Sequence, residues 1–232
     1  MVSMTPRERP YRGVDAGERL AKRRQRFLIA GLDLLGADQQ DMSALTVRGI
    51  CREAGLATRY FYESFTDKDE FVGAVFDSVI ADLATTTQAA VAAVPAHEQS
   101  RTGMANVVQT IAGDTRIGRL LFSTQLADAV IVRKRAESSA LMAMLAGQHV
   151  VSALQTPAND RLTAGAHFVV GGVVQTISSW LAGDVRLEPD QLVDQLATLL
   201  DGLSDPGLYG LTEKAAAARA ASRGAAATNA SS

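Results

Sequence analysis

From Ala16 onward, apolar residues recur at helical spacing. Leu20, Phe27, Ala30, Leu34 and Leu35 fall on one side of a cylinder, with Arg23, Arg24 and Arg26 elsewhere on it. Gly36 and the polar run at 38–43 end this first predicted helix. Thr46 is placed to N-cap a second helix, in which Val47, Ile50, Cys51 and Ala54 form an inward stripe. Gly55 stands where a C′ glycine closes a helix. A short third helix is predicted over about 58–64 with Phe61 turned inward. A fourth opens at Asp67, because Asp67 and Glu70 have the spacing of a capping box. Phe71, Ala74, Val75, Val79 and Leu83 then supply its buried stripe. The helical pattern continues near 98–112, 115–126, 128–154, 158–182 and 189–203. Pro157 and Pro189 sit at or near helix starts, and Gly183 and Gly202 at helix ends. No alternating strand pattern competes strongly, so the expected fold class is all-α.

Composition agrees with that reading. Across 232 residues, 47% are apolar and 21% charged, enough to bury a sizeable core and to exclude global disorder. Aromatics are only 5% while Ala and Leu are abundant, which favours helix over strand. The single cysteine, Cys51, excludes an internal disulfide and a Cys-based zinc cluster, and fits a reducing, cytoplasmic setting. The longest apolar runs, such as 168–174, fall far short of the roughly 20 residues that a bilayer needs. Residues 1–13 carry charge but no apolar stretch of a secretory signal. No membrane partner is expected.

The net charge of −2 hides an asymmetry: residues 1–68 carry 12 Lys/Arg against 9 Asp/Glu, and the acidic excess lies beyond them. Within 7–26 there are 8 basic and 3 acidic residues, so one end of the chain is suited to a polyanion, or else simply carries a solvated basic face. Residues 1–15, with Pro6, Pro10 and Gly13 among arginines, read as a flexible basic arm. The expected organisation continues with a helix-turn-helix domain at 16–66 and a second helical domain at 67–212. An Ala/Ser tail at 213–232 is expected to be disordered or a frayed helix.

The chemistry concentrates in residues 46–65. A short helix stops at Gly55 and another begins two or three residues later, which is helix-turn-helix spacing. On the second helix, Arg59 can fork onto a guanine edge and Thr58 can bond a base or touch a thymine methyl. Tyr60 and Tyr62 offer hydroxyls on rigid rings, and Tyr62 beside the core aromatics needs a partner for its own. Arg48 and Arg52 lie one turn apart on the preceding helix, away from its apolar stripe. Lys68, in the first turn of the fourth helix, joins free backbone N–H groups to an ammonium in a phosphate clamp.

Over about 24–75 the chain resembles the tetracycline-repressor (TetR) family of bacterial transcription regulators. The resemblance rests on Thr46, Ile50, Ala54-Gly55-Leu56, Phe61-Tyr62, Phe65, Lys68 and Phe71. It implies that Thr46, Tyr62 and Lys68 hold phosphates while Arg48, Thr58, Arg59 and Tyr60 face bases. Two positions depart from the family. Ala57 stands where a serine often starts the recognition helix, leaving Thr58 to cap it, and Ser64 stands where a histidine is common.

The resemblance further implies a C-terminal effector-binding and dimerising domain. Leu162, Ala166, Val169, Val170, Val173, Ile177 and Leu181 form one wide stripe, and Leu192, Leu196, Leu199, Leu200 and Leu203 another. These helices, 158–182 and 189–203, are the expected homodimer interface, where Gly171 and Gly172 permit close approach; the other reading is that both stripes face the subunit's own core. Met104, Phe122, Met142, Phe168 and Trp180, with Met144, are candidates for lining an apolar effector pocket, or are plain core.

His97, His149 and His167 share no metal-ligand spacing, and no phosphate-binding loop, nucleotide fingerprint or nucleophile elbow is present. Cys51 reads as a small core residue, and Arg133-Lys134-Arg135 as a solvated face. No catalytic residue, metal or cofactor is expected. The reading is a non-enzymatic regulator, most simply a repressor. It would bind a palindromic double-stranded DNA operator as a homodimer and be released by a small hydrophobic or amphipathic effector. A constitutive or architectural DNA binder without effector, and an all-helical enzyme, remain as other classes.

Overall fold

In a computed structural model of the chain, residues 12–38, 45–154, 159–203 and 206–209 are described. Most of the basic arm (1–11), the polar run at 39–44, Pro157 and the tail at 213–232 lie outside the described residues, as does the side chain of His149. The described residues form α-helices α1 (Arg12–Leu35), α2 (Val47–Ala54), α3 (Thr58–Ser64), α4 (Lys68–Ala92), α5 (Gln99–Gly113), α6 (Thr115–Phe122), α7 (Ala129–Leu154), α8 (Asp160–Leu181) and α9 (Pro189–Gly202). Two 3-10 turns, Ala96–Glu98 and Pro206–Tyr209, accompany them. No strand occurs among the described residues, as the periodicity predicts.

Local signals set most of the helix ends. The Thr46 hydroxyl accepts from Gly49 N at 3.0 Å, and Gly55 closes α2 in the left-handed region at φ 62°, where a side chain would be strained. Asp67 Oδ1 accepts from Glu70 N at 2.8 Å as the N-cap of α4. The return half of the expected capping box is displaced, however. Glu70 accepts from both the N–H and the hydroxyl of Thr66 at 2.7 Å, two donors where Asp67 could offer one. Those bonds hold the Glu70 carboxyl below its ordinary pKa. The expected cap at Thr58 is overturned. Ala57 is the N-cap of α3 and contributes no side-chain bond, while Thr58 is already helical. Asn159, which the spacing did not single out, caps α8 through Leu162 N at 3.0 Å.

One hydrophobic core joins α1, α2 and α3 to α4, α6 and α7, from Phe27 and Ile50 through Phe61, Phe71 and Phe76 to Leu120 and Ile131. It runs unbroken past 66/67, so α1–α3 are not a separate bead. Gly36 marks a close backbone approach, because a Cβ there would stand 2.7 Å from the Arg116 Cα of α6. A second, aliphatic cluster of Val108, Ile111, Ile177, Leu192, Val193 and Leu196 fills the space between α5, α8 and α9. The principal neighbour of α9 is α5, and that of α8 is α7.

The basic triplet on α7 is not the solvated face expected of it. Lys134 Nζ meets Asp77 of α4 at 2.6 Å, and only Arg133 stays out, 3.6 Å from Glu137. Arg135 turns inward and donates to the carbonyls of Arg119, Leu120, Ser123 and Leu126, at distances down to 2.6 Å. A guanidinium thus caps the C-terminal end of α6, where orphan carbonyls and the helix dipole favour a cation. Burial lowers its pKa.

Candidate nucleic-acid interface

Aromatic packing positions α3. Phe61 is wholly buried and touches Phe27, Phe65 and Phe71 with ring centroids 5.7, 5.4 and 5.7 Å away. These rings hold the inner face of a seven-residue helix that its own hydrogen bonds could not sustain alone. The outer face is then free for chemistry: Thr58, Arg59 and Tyr62 are exposed, and Tyr60 is half-buried. Tyr62 meets Phe61 edge-on at 5.5 Å and leaves 60% of its surface open. On α2, Arg48 and Arg52 are both exposed, and Lys68 is half-buried at the first position of α4. Thr46 keeps its hydroxyl proton available, because the cap uses only its acceptor side. The expected DNA-facing set is therefore distributed over two helix N-termini and the exposed face of α3.

Three arginines of α1 have functions that charge counting missed. Arg26 Nη2 donates to the Ala54 carbonyl at 2.8 Å and to the Gly55 carbonyl at 3.3 Å, closing the end of α2. Arg24 Nη1 donates to the Ser64 carbonyl at 2.6 Å, closing α3, while its guanidinium lies 4.5 Å from the Phe65 ring. Arg23 pairs with Glu63 at 3.2 Å and stacks 4.3 Å from the Tyr60 ring. Part of the N-terminal basic block is thus spent on bracing the helix-turn-helix. The signal was there in the short helices themselves, since α3 ends without a C′ glycine and its last carbonyls need an external donor.

The α1–α6 contact is also charged. Arg116 bridges Asp33 of α1 and Asp114, with its Nε 2.9 Å from Asp114 Oδ1. The Arg116 bond holds the Asp114 carboxyl below the usual carboxylate range, and the guanidinium is correspondingly harder to deprotonate. Arg119 Nη1 reaches the Gly36 carbonyl at 3.1 Å. Movement of α6 would therefore pull on the end of α1.

The five expected effector-pocket residues are not brought together. Met104, Phe122 and Trp180 pack around the aliphatic cluster, and Trp180 Nε1 donates to the Leu187 carbonyl at 2.8 Å. Met142 is half-buried on α7, and Phe168 is 68% exposed on α8. Cavities open elsewhere. One of about 580 Å³ lies between Asp38, α6 and α8, with polar walls from Thr115, Arg119, Ser123, Gln125 and Ser178. Another of about 520 Å³ lies between α7 and α8, lined by Ala143, Met144, Gly147, Val151, Leu162 and His167 among others. The predicted dimer stripes divide as well. Leu162, Ala166, Ile177, Leu192 and Leu196 face the subunit's own interior, whereas Leu199 is 52% exposed. Among the described residues, no three His, Cys, Asp or Glu side chains gather to hold a metal, and no helix is long and apolar enough to cross a membrane.

Residues 37–75 match the family model of bacterial regulatory proteins, tetR family. No curated protein matches the chain in sequence. Solved structures share its fold at low identity. The fatty acid degradation regulator FadR from Bacillus halodurans aligns over 77% of this chain and 94% of its own, with TM-score 0.60 and 14% identity. FadR from Bacillus subtilis, solved with stearoyl-CoA, covers 76% and 96% with TM-score 0.58 and 15% identity. A tetR-family transcriptional regulator from Streptomyces coelicolor covers 85% and 89% with TM-score 0.61 and 19% identity.

Proposed function

We propose that the chain, whose residues 37–75 match the tetR-family model, is a tetR-family transcriptional regulator, and that it acts as a homodimeric repressor, binding a palindromic operator and released by a small hydrophobic or amphipathic effector. The observation that carries the DNA-binding part is α3 itself, with its polar side chains turned outward over a fully buried aromatic base. In this reading Thr46, Tyr62 and Lys68 hold phosphates, while Arg48, Thr58, Arg59 and Tyr60 stand at the base edges. Two recognition helices on one dimer enter successive major grooves on the same side of the duplex.

Support for a dimer comes from apolar surface left uncovered on the C-terminal helices. Phe168 of α8, Leu141, Met144 and Leu145 of α7 and Leu199 of α9 are all exposed. Gly171 and Gly172 meet open space where a Cβ would point, leaving room for a second backbone. The interface proposed is therefore the outward side of α8 and α9, with α7 adjoining it. The apolar cleft between α7 and α8 supports an effector of apolar character.

Release requires the effector to bind a mis-spaced conformer more tightly than the operator-bound one, since equal affinity shifts nothing. Two levers reach the DNA-binding helices: α4, which begins at Lys68, and α6, tied to α1 through Arg116 and Asp33.

Selection of duplexes from a random library, followed by band-shift titration, tests the reading. Arg59→Ala is expected to weaken the selected operator by roughly ten-fold or more. Lys68→Ala is expected to weaken operator and random duplex alike and to lower the salt slope by about one unit. Equal losses on both duplexes for Arg59→Ala would remove its base-reading role. Unchanged operator affinity at saturating acyl or other amphipathic ligand would leave a constitutive DNA binder. Phe168→Glu is expected to dissociate the dimer in sedimentation and to cost operator affinity with it.

A further inference from the structure

Arg59 and Tyr60 are adjacent on α3, and neighbours in a helix ordinarily point about 100° apart. Here they are joined. Arg59 Nη2 donates to the Tyr60 hydroxyl at 2.6 Å, and its guanidinium carbon lies 4.6 Å from the centre of the Tyr60 ring. The same ring is stacked from α1 by Arg23, whose guanidinium carbon is 4.3 Å from its centre. Arg23 is in turn fixed by Glu63, one turn along α3, at 3.2 Å. Among the described residues its Nε is buried without a hydrogen-bond partner. Two guanidiniums from two helices thus converge on one aromatic ring, which is half-buried at the α1–α3 seam.

This geometry bears on how an arginine recognises a base. A guanidinium reads guanine through two N–H groups aimed together at O6 and N7, and the fork is useful only if its plane is held. A free arginine at a helix surface samples many rotamers and loses that freedom on binding. The bond to Tyr60 uses one of five donors and leaves enough for a two-pronged contact. Cation–π stacking fixes the plane without consuming any donor.

We propose that Tyr60 is a positioning residue: braced by Arg23 and Glu63, its ring and hydroxyl hold the Arg59 fork in the plane that a guanine edge requires. This rests on the DNA-binding reading and refines it, since Tyr60 then acts through Arg59 instead of reading a base of its own. Arg23, on a helix outside the helix-turn-helix, becomes a determinant of specificity at the same base pair.

The test runs duplex selection on the full chain in parallel for the wild type, Arg59→Ala, Tyr60→Phe and Arg23→Met. Every single-base change in the wild-type site is then titrated, with a random duplex as reference and thermal melting as the control for folding. Arg59→Ala is expected to abolish a guanine preference at one position per half-site. Tyr60→Phe keeps the ring and should retain the melting temperature. It is expected to reduce the preference at that same position by about three- to ten-fold, more than it reduces affinity for random duplex. Arg23→Met should reduce it at the same position by a smaller factor. A Tyr60→Phe preference within about two-fold of wild type would overturn the proposal. So would a changed preference at a different base pair, which means that Tyr60 reads directly, or an equal loss on random duplex, which means that it holds a phosphate. A wild type that selects no motif would bring down the DNA-binding reading, and this inference with it.

Discussion

The two ends of the molecule solve opposite problems. Around α3, four phenylalanines close a core in which Phe27, Phe61 and Phe71 are completely buried, and arginines from α1 close the helix ends. The exposed large apolar side chains there are Leu20, Ile29 and Tyr62, and most of what faces outward is polar. The C-terminal helices are held by an aliphatic cluster and leave Leu141, Met144, Leu145, Phe168 and Leu199 in the open. Around α3 the apolar packing is closed by the core shared with α4, and polar side chains face outward. The other end has satisfied part of its apolar surface internally and presents the rest. The proposed regulator needs both: a rigid reading head, and a body whose packing is completed by a second subunit or an effector.

The sharpest way to break that contrast is to remove the keystone ring. Phe61→Ala is expected to cost about 3–5 kcal/mol in denaturant unfolding, because the cavity lies among four rings with little room to collapse. A loss near that of an exposed substitution would show that the α1–α3 core is looser than its packing implies. Next in size is Arg135→Met, which leaves buried carbonyls at the end of α6 without donors and should cost about 1–3 kcal/mol. It also tests whether α6 is locked at its C-terminal end, since amide exchange over 119–123 should rise first. Thr46→Ala should cost about 1 kcal/mol through the lost α2 cap, with the m-value unchanged.

The smallest effect is the one best resolved by pH. The folded Asp114 carboxyl titrates below its unfolded value, so its contribution is full above the unfolded carboxylate pKa, near pH 4, and is lost as pH falls through the lower folded one. The stability gap between wild type and Asp114→Asn should therefore be flat from about pH 5 to 8 and close in acid. A gap that widens in acid would mean that Arg116 does not hold Asp114 in its charged form.

Legibility in the sequence differed between the same two ends. Thr46, Gly55 and Asp67 carry local signals, a side-chain cap, a left-handed closure and an N-cap, and each is observed where the spacing predicts it. Phe61 and Phe71 follow from periodicity for the same reason, because a short helix has only one face to bury. The α7 triplet is not legible in this way, since three adjacent basic residues look alike in sequence but point in three directions on a helix. Only the position of α6 makes Arg135 internal. Likewise the stripe on α9 is split by α5, which covers Leu192 and Leu196 but not Leu199.

The amino-acid order by itself determined which segments are helical, where most of them begin and end, and which face of each is apolar, because those are contests among near neighbours in the chain. It could not determine which of several equivalent cations reaches a distant carbonyl, nor which of two apolar faces is covered. Those outcomes depend on where other helices lie. Arg23 meeting Tyr60 across the α1–α3 seam, Arg135 closing α6, and Phe168 left in the open were decided only when the chain was packed in three dimensions.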